Sequence, residues 1–120
     1  MTKQEAIEIV NNHSRESSLN NGNTNIAKIN DAKNVWWFNI PPERFLNDLH
    51  LLLKKANGLI WLKINANTFI KPQDVFRLRT DVGKIDLEIS SNKQNNYMVD
   101  IKSGGTNYNF NQHIEHEFNN

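Results

Sequence analysis

The stretch PPERFLNDLHLLLKKANGLIWLKIN, Pro41 to Asn65, decides how the chain is put together. Phe45, Leu46, Leu49, Leu52, Leu53 and Ala56 recur at the spacing of one helical face. Pro41 and Pro42 suit the opening of such a helix, and Asn57-Gly58 suits a left-handed cap at its close. Lys54 and Lys55 fall in the last turn, where the helix dipole favours cations. The spacing therefore predicts a helix here, followed by LIWLKIN, Leu59 to Asn65, as a nearly continuous apolar strand.

Upstream, Ala6, Ile9, Val10 and His13 form one stripe over residues 3 to 13, with Thr2 and Glu5 placed as a capping box. Residues 14 to 33 are polar and rich in Asn, which predicts a long loop with room for a minor strand near Ile26 to Ile29. VWWFNI, Val35 to Ile40, is aromatic and β-branched with little alternation, the pattern of a strand covered on both faces. Downstream, Phe76, Leu78 and Val82 are apolar at even positions while Ile85, Leu87 and Ile89 are apolar at odd ones. A strand cannot change face without an extra residue, so Gly83 marks a bulge or a tight turn between two strands. Tyr97, Val99 and Ile101 supply a last strand, and residues 104 to 120 are set apart as a candidate flexible tail in which Ile114 and Phe118 could start a docking turn. The expectation is one α+β domain over residues 1 to 120, ordered α-β-α-β-β-β, with two helices and a mostly antiparallel sheet of four or five strands.

A chain of 120 residues can bury a real core, and 38% hydrophobic with 22% charged residues is not a disordered composition. There is no cysteine, which removes disulfides, thiolate metal sites and a cysteine nucleophile and fits a reducing, cytoplasmic setting. No stretch has the length and apolarity of a membrane span or of a secretory signal. A net charge of +1 is far from that of a dedicated nucleic-acid binder, and no phosphate loop, nucleophile elbow or dinucleotide fingerprint is present.

One stretch suggests a specific chemistry. In KIDLEISSNKQNNYMVDIKSGG, Lys84 to Gly105, Asp86 and Glu88 alternate with Ile85, Leu87 and Ile89, while Asp100 and Lys102 alternate with Tyr97, Val99 and Ile101. Three hairpin registers stay open. One sets Asp86 opposite Asp100, a repulsive pair that invites a cation; the other two set Asp86 opposite Lys102 or Lys84 opposite Asp100, as ordinary ion pairs. Asp86 followed by Asp100-Ile101-Lys102 resembles the D...(D/E)-x-K signature of the PD-(D/E)XK nuclease superfamily. The resemblance implies Mg²⁺ held by Asp86 and Asp100, with Lys102 positioning or activating the attacking water and Glu43 or Glu88 as an auxiliary acid. The family core runs α-β-β-β-α-β; residues 42 to 103 match its first four elements, and a circular permutation would be needed to supply the closing pair.

His113 and His116 in HIEHE have ligand-like spacing but match no zinc motif, and a solvated tail is the simpler expectation. Arg77 and Arg79 share one strand face, and Trp36 and Trp37 must point to opposite faces, so these four are the candidate binding residues. Trp61 is expected in the core and His50 on the polar side of the predicted second helix. Two function classes follow. The leading one is a small non-enzymatic module of the immunity or accessory type found in bacterial conflict systems, binding another protein through its sheet; that comparison is an analogy of size and character. The alternative is a divalent-metal-dependent nuclease acting on nucleic acid.

Overall fold

The computed structural model describes residues 1–119. Within it, Pro41 to Asn65 is a short turn and a β-hairpin, and the predicted second helix does not form. Pro42–Leu46 makes one 3-10 turn; Leu49–Lys55 and Gly58–Ile64 are antiparallel strands joined by Ala56-Asn57 and paired from Leu49 with Ile64 to Lys55 with Gly58. The physical reason is that LHLLL is buried on both faces: Leu49, Leu51 and Leu53 enter one core, His50 and Leu52 another layer. A continuous apolar run satisfies the helical and the strand period alike, and two-sided burial selects the strand.

In chain order the elements are α1 (Lys3–His13), β1 (Thr24–Ala27), β2 (Ile29–Asn30), β3 (Val35–Ile40), β4 (Leu49–Lys55), β5 (Gly58–Ile64), β6 (Arg77–Arg79), β7 (Lys84–Ser90) and β8 (Ile114–Asn119). They form two four-stranded sheets, β1-β4-β5-β8 and β2-β3-β7-β6, antiparallel except where β1 runs parallel to β4. The sheets pack face to face through Trp36, Phe38 and Ile40 of β3, Leu49, Leu51 and Leu53 of β4, Ile60, Leu62 and Ile64 of β5, and Ile85, Leu87 and Ile89 of β7. Helix α1 covers the far side of the first sheet, where Ala6, Ile7 and Val10 meet Leu52, Leu59 and Trp61. Its Thr2 and Glu5 make the expected reciprocal capping box.

The result is a single α+β domain of three layers, helix, sheet and sheet, with one α-helix and eight strands among the described residues in place of two helices and four or five strands. The span 14 to 33, read as a polar loop, carries β1 and β2. The span 104 to 119, set apart as a tail, ends in β8, which adds to the edge of β5 as a strand and not as a helical turn. Gly83, with φ +64°, sits in the turn between β6 and β7 where the apolar phase changes. No helix among the described residues is long and apolar enough to cross a membrane.

Residues 97 to 101, expected as a last strand, make only isolated bridges, and their register departs from all three that the sequence left open. Strand β7 is flanked on one edge by β3, from Ile40 with Ile85 to Val35 with Ser90. On its other edge it pairs first with β6 and then with residues 99 to 101, where Ile89 lies opposite Asp100 and the Ile101 N–H donates to the Glu88 carbonyl. The two residues of positive φ, Asn96 at +57° and Met98 at +67°, insert an odd offset. An odd offset exchanges the faces, so Met98 and Asp100 turn inward and are fully buried while Ile101 is exposed.

Candidate functional site: the outer face of the second sheet

The first sheet is covered on both sides; on the outer face of the second no helix among the described residues packs, although Lys102 and Gly104 lie against its β7-β6 side and Val35 and Ser90 at one end are buried. Alternation along β3, β7 and β6 places Trp37, Asn39, Asp86, Glu88, Arg77 and Arg79 there. Trp37 is 49% exposed and is the only exposed Trp, Tyr or Phe among the described residues. Its neighbour Trp36 points the other way, is buried, and donates its indole N–H to the Lys54 carbonyl. Of the two tryptophans expected to bind, only Trp37 therefore reaches a surface.

Trp37 is held in place from below. Its indole N–H donates to Asp86 Oδ1 at 2.6 Å, and the Asn39 amide donates to the same oxygen at 2.7 Å. The other oxygen of Asp86 is 3.5 Å from Lys102 Nζ, which also lies 4.0 Å from Glu88 Oε1. Glu88 in turn pairs with Lys33 at 3.0 Å. Asp86 is thus buried under its partners although it belongs to the outer face. Arg79 grips Asp81 with Nε and Nη2, and that pairing holds the exposed Asp81 carboxyl below its usual range and raises Arg79. Arg77, directly across from Asp86, has no carboxylate partner among the described residues.

These side chains enclose a shallow cavity of about 320 Å³ walled by Trp37, Arg77, Arg79 and Lys102 and floored by Asp86 and Glu88. A second hollow, of about 410 Å³, lies on the other side of the Trp37 ring against Ala27 to Asp31. The indole is therefore a ridge between two depressions.

Asp100 does not join this surface. Its Oδ1 accepts the backbone N–H groups of Glu88 (3.0 Å) and Lys102 (3.1 Å), and its Oδ2 is buried without a hydrogen-bond partner among the described residues. Burial, with further help from the charges of Glu88 and Asp86, pushes the carboxyl up to about 6. Of the nuclease-like trio, Asp86 and Lys102 meet and Asp100 faces inward. Both Asp86 oxygens are already engaged, and no three His, Asp or Glu side chains among the described residues converge as a metal site. Glu43 lies in the 3-10 turn beside a different cavity, with Arg44 and Asp48.

The histidines also separate. His116 stacks on His13 of α1 with ring centroids 4.0 Å apart, whereas His113 Nε2 lies 2.7 Å from the Tyr108 hydroxyl. His50, expected on the surface, is buried on the face of the first sheet opposite the main core and accepts the Trp61 indole N–H on Nδ1 at 3.0 Å. Burial, reinforced by Lys63, pushes it down to about 4. Trp61 is in the core as expected.

The sequence reading overlooked Asn39 and Lys33. Asn39 was legible in principle, since it alternates with Trp37 along VWWFNI; Lys33 reaches Glu88 from a loop and left no sequence signal. Compared with protein-family models, with curated proteins and with solved structures, the chain matches none.

Proposed function

We propose that this chain is a small non-enzymatic module that binds another protein through the outer face of the β2-β3-β7-β6 sheet. One observation carries the reading: a half-exposed tryptophan stands on a mostly polar sheet face that no helix covers among the described residues, with its indole fixed by a buried carboxylate. A large, pre-positioned aromatic ringed by arginine and lysine is the composition of an interface anchor, because it buries much area with little rotamer entropy to lose. The lack of cysteine and of any membrane-spanning helix among the described residues suits a partner met in the cytoplasm.

Immobilised chain is expected to retain a specific partner from lysate, and Trp37→Ala to weaken that complex by about 30-fold or more, the loss typical of a central anchor. A Glu8→Ala variant, altered on the exposed side of α1, should retain the partner in full. Equal retention by all three proteins would remove the assignment.

The nuclease alternative keeps one point in its favour, the approach of Lys102 to Asp86, but it asks Asp100 to leave a buried position in which two backbone amides hold it. Titration with Mg²⁺ or Mn²⁺ to millimolar concentration is accordingly expected to leave the amide resonances of Asp86, Asp100 and Lys102 in place. Saturable shifts that disappear in Asp100→Ala would restore the metal-dependent reading.

A further inference from the structure

The charges of the outer face do not cancel locally. Asp86 has Lys102, Glu88 has Lys33, and Asp81 has Arg79, which leaves Arg77 and Lys84 as cations without a carboxylate among the described residues. Arg77 is the one of the two that lines the cavity beside Trp37. It cannot turn to its cross-strand neighbour for compensation, because Trp37 and Asn39 occupy one oxygen of Asp86 and Lys102 stands at the other. The arginine stem is laid down along Gly104: a Cβ at that position would come within 3.3 Å of Arg77 Cγ, and Gly104 has φ +93°. A glycine there thus leaves room for the guanidinium to lie across the rim of the cavity, next to an indole ridge.

We propose that the partner presents an acidic segment to this face, seating a side-chain carboxylate against the Arg77 guanidinium beside the Trp37 ring. The proposal rests on the reading of the face as a protein-binding surface and adds the chemistry of what it binds. A guanidinium offers paired donors that match the two oxygens of a carboxylate, and the neighbouring aromatic face excludes water from that contact, which strengthens it. The cavity, about 320 Å³, has room for one acidic side chain and the backbone that carries it.

The test uses the full chain and three probes: a short capped peptide of alternating Glu and Ser, its Gln and Ser counterpart, and a short oligothymidylate. The Trp37 indole N–H resonance is expected to shift saturably with the Glu peptide and to stay in place with the Gln peptide. Arg77→Gln should weaken that binding about tenfold, the order of one charge-assisted bidentate contact, while Lys84→Gln changes it by less than about twofold. No shift with the Glu peptide, an unchanged affinity in Arg77→Gln, or tighter binding of the oligothymidylate would each overturn the proposal. If Trp37→Ala abolished retention of the cellular partner while Arg77→Gln and added salt left it intact, the binding face would stand and its acidic partner chemistry would fall.

Discussion

Gly58→Ala is expected to destabilise the protein by about 3–4 kcal/mol, roughly three times the loss from Gly83→Ala. Both glycines have positive φ, +147° at Gly58 and +64° at Gly83, so both substitutions bear a backbone cost. They differ in what surrounds them. A Cβ at Gly83 would meet nothing within 4 Å, which leaves the left-handed backbone as the whole penalty, about 1 kcal/mol. A Cβ at Gly58 would overlap the carbonyl of Phe118, because Gly58 opens β5 directly opposite Asn119 of β8. The obstacle is backbone and cannot rotate aside as a side chain would. Relief requires β8 to peel from β5, which also gives up the packing of Phe118 under α1 and the stack of His116 on His13. Urea unfolding of the two variants measures the difference. Equal losses would mean that the end of the chain does not lie against the start of β5.

The second large effect concerns two buried groups that titrate in opposite senses. Asp100 is pushed up to about 6, so between about pH 4 and 6 the unfolded chain releases a proton that the folded chain keeps, and stability falls as pH rises. His50 is pushed down to about 4, so between about pH 4 and 6.5 the unfolded chain binds a proton that the folded chain refuses, and stability rises with pH. Each displacement is near two pH units, an upper bound of about 3 kcal/mol apiece, and over the shared window the two nearly cancel. Separating them is expected to reveal both. In Asp100→Asn, which keeps the oxygen that accepts the Glu88 and Lys102 amides, stability should climb relative to the parent by up to about 3 kcal/mol from pH 4 to 7. In His50→Asn, whose amide oxygen can replace Nδ1 as acceptor for Trp61, stability should drop relative to the parent over the same range. Urea unfolding at pH 4, 5, 6 and 7 reads the two differences. Curves parallel to the parent's would show that neither group is buried as described.

Where the sequence was legible, one physical signal dominated. Helix α1 could be read because a capping box and an apolar stripe agree over Thr2 to Val10, and β5 and β7 because their apolar residues end at clear breaks near Gly58, Asn65 and Gly83. Strand β4 was misread because LHLLL is buried on both faces, and a run without alternation carries no period of its own. The outer face was half legible. Alternation set Trp37 apart from Trp36 and aligned Arg77 with Arg79, but which tryptophan faced out depended on where α1 and the second sheet lay. The position of Asp100 was not legible at all. It turns on positive φ at Asn96 and Met98; asparagine tolerates that conformation and methionine gives no warning of it, so the odd register that hides the carboxylate is a product of tertiary packing.

Photo-crosslinking can show whether the partner lies on the outer face of the second sheet. A photoreactive phenylalanine analogue would be placed at Lys84 and Arg79 on the sheet face, leaving Trp37 intact, and, as control, at Glu8 on α1, and each protein irradiated in the presence of the cellular partner. One adduct is expected, common to positions 84 and 79 and absent at position 8. An adduct formed only from position 8, with none from the sheet face, would place the partner elsewhere.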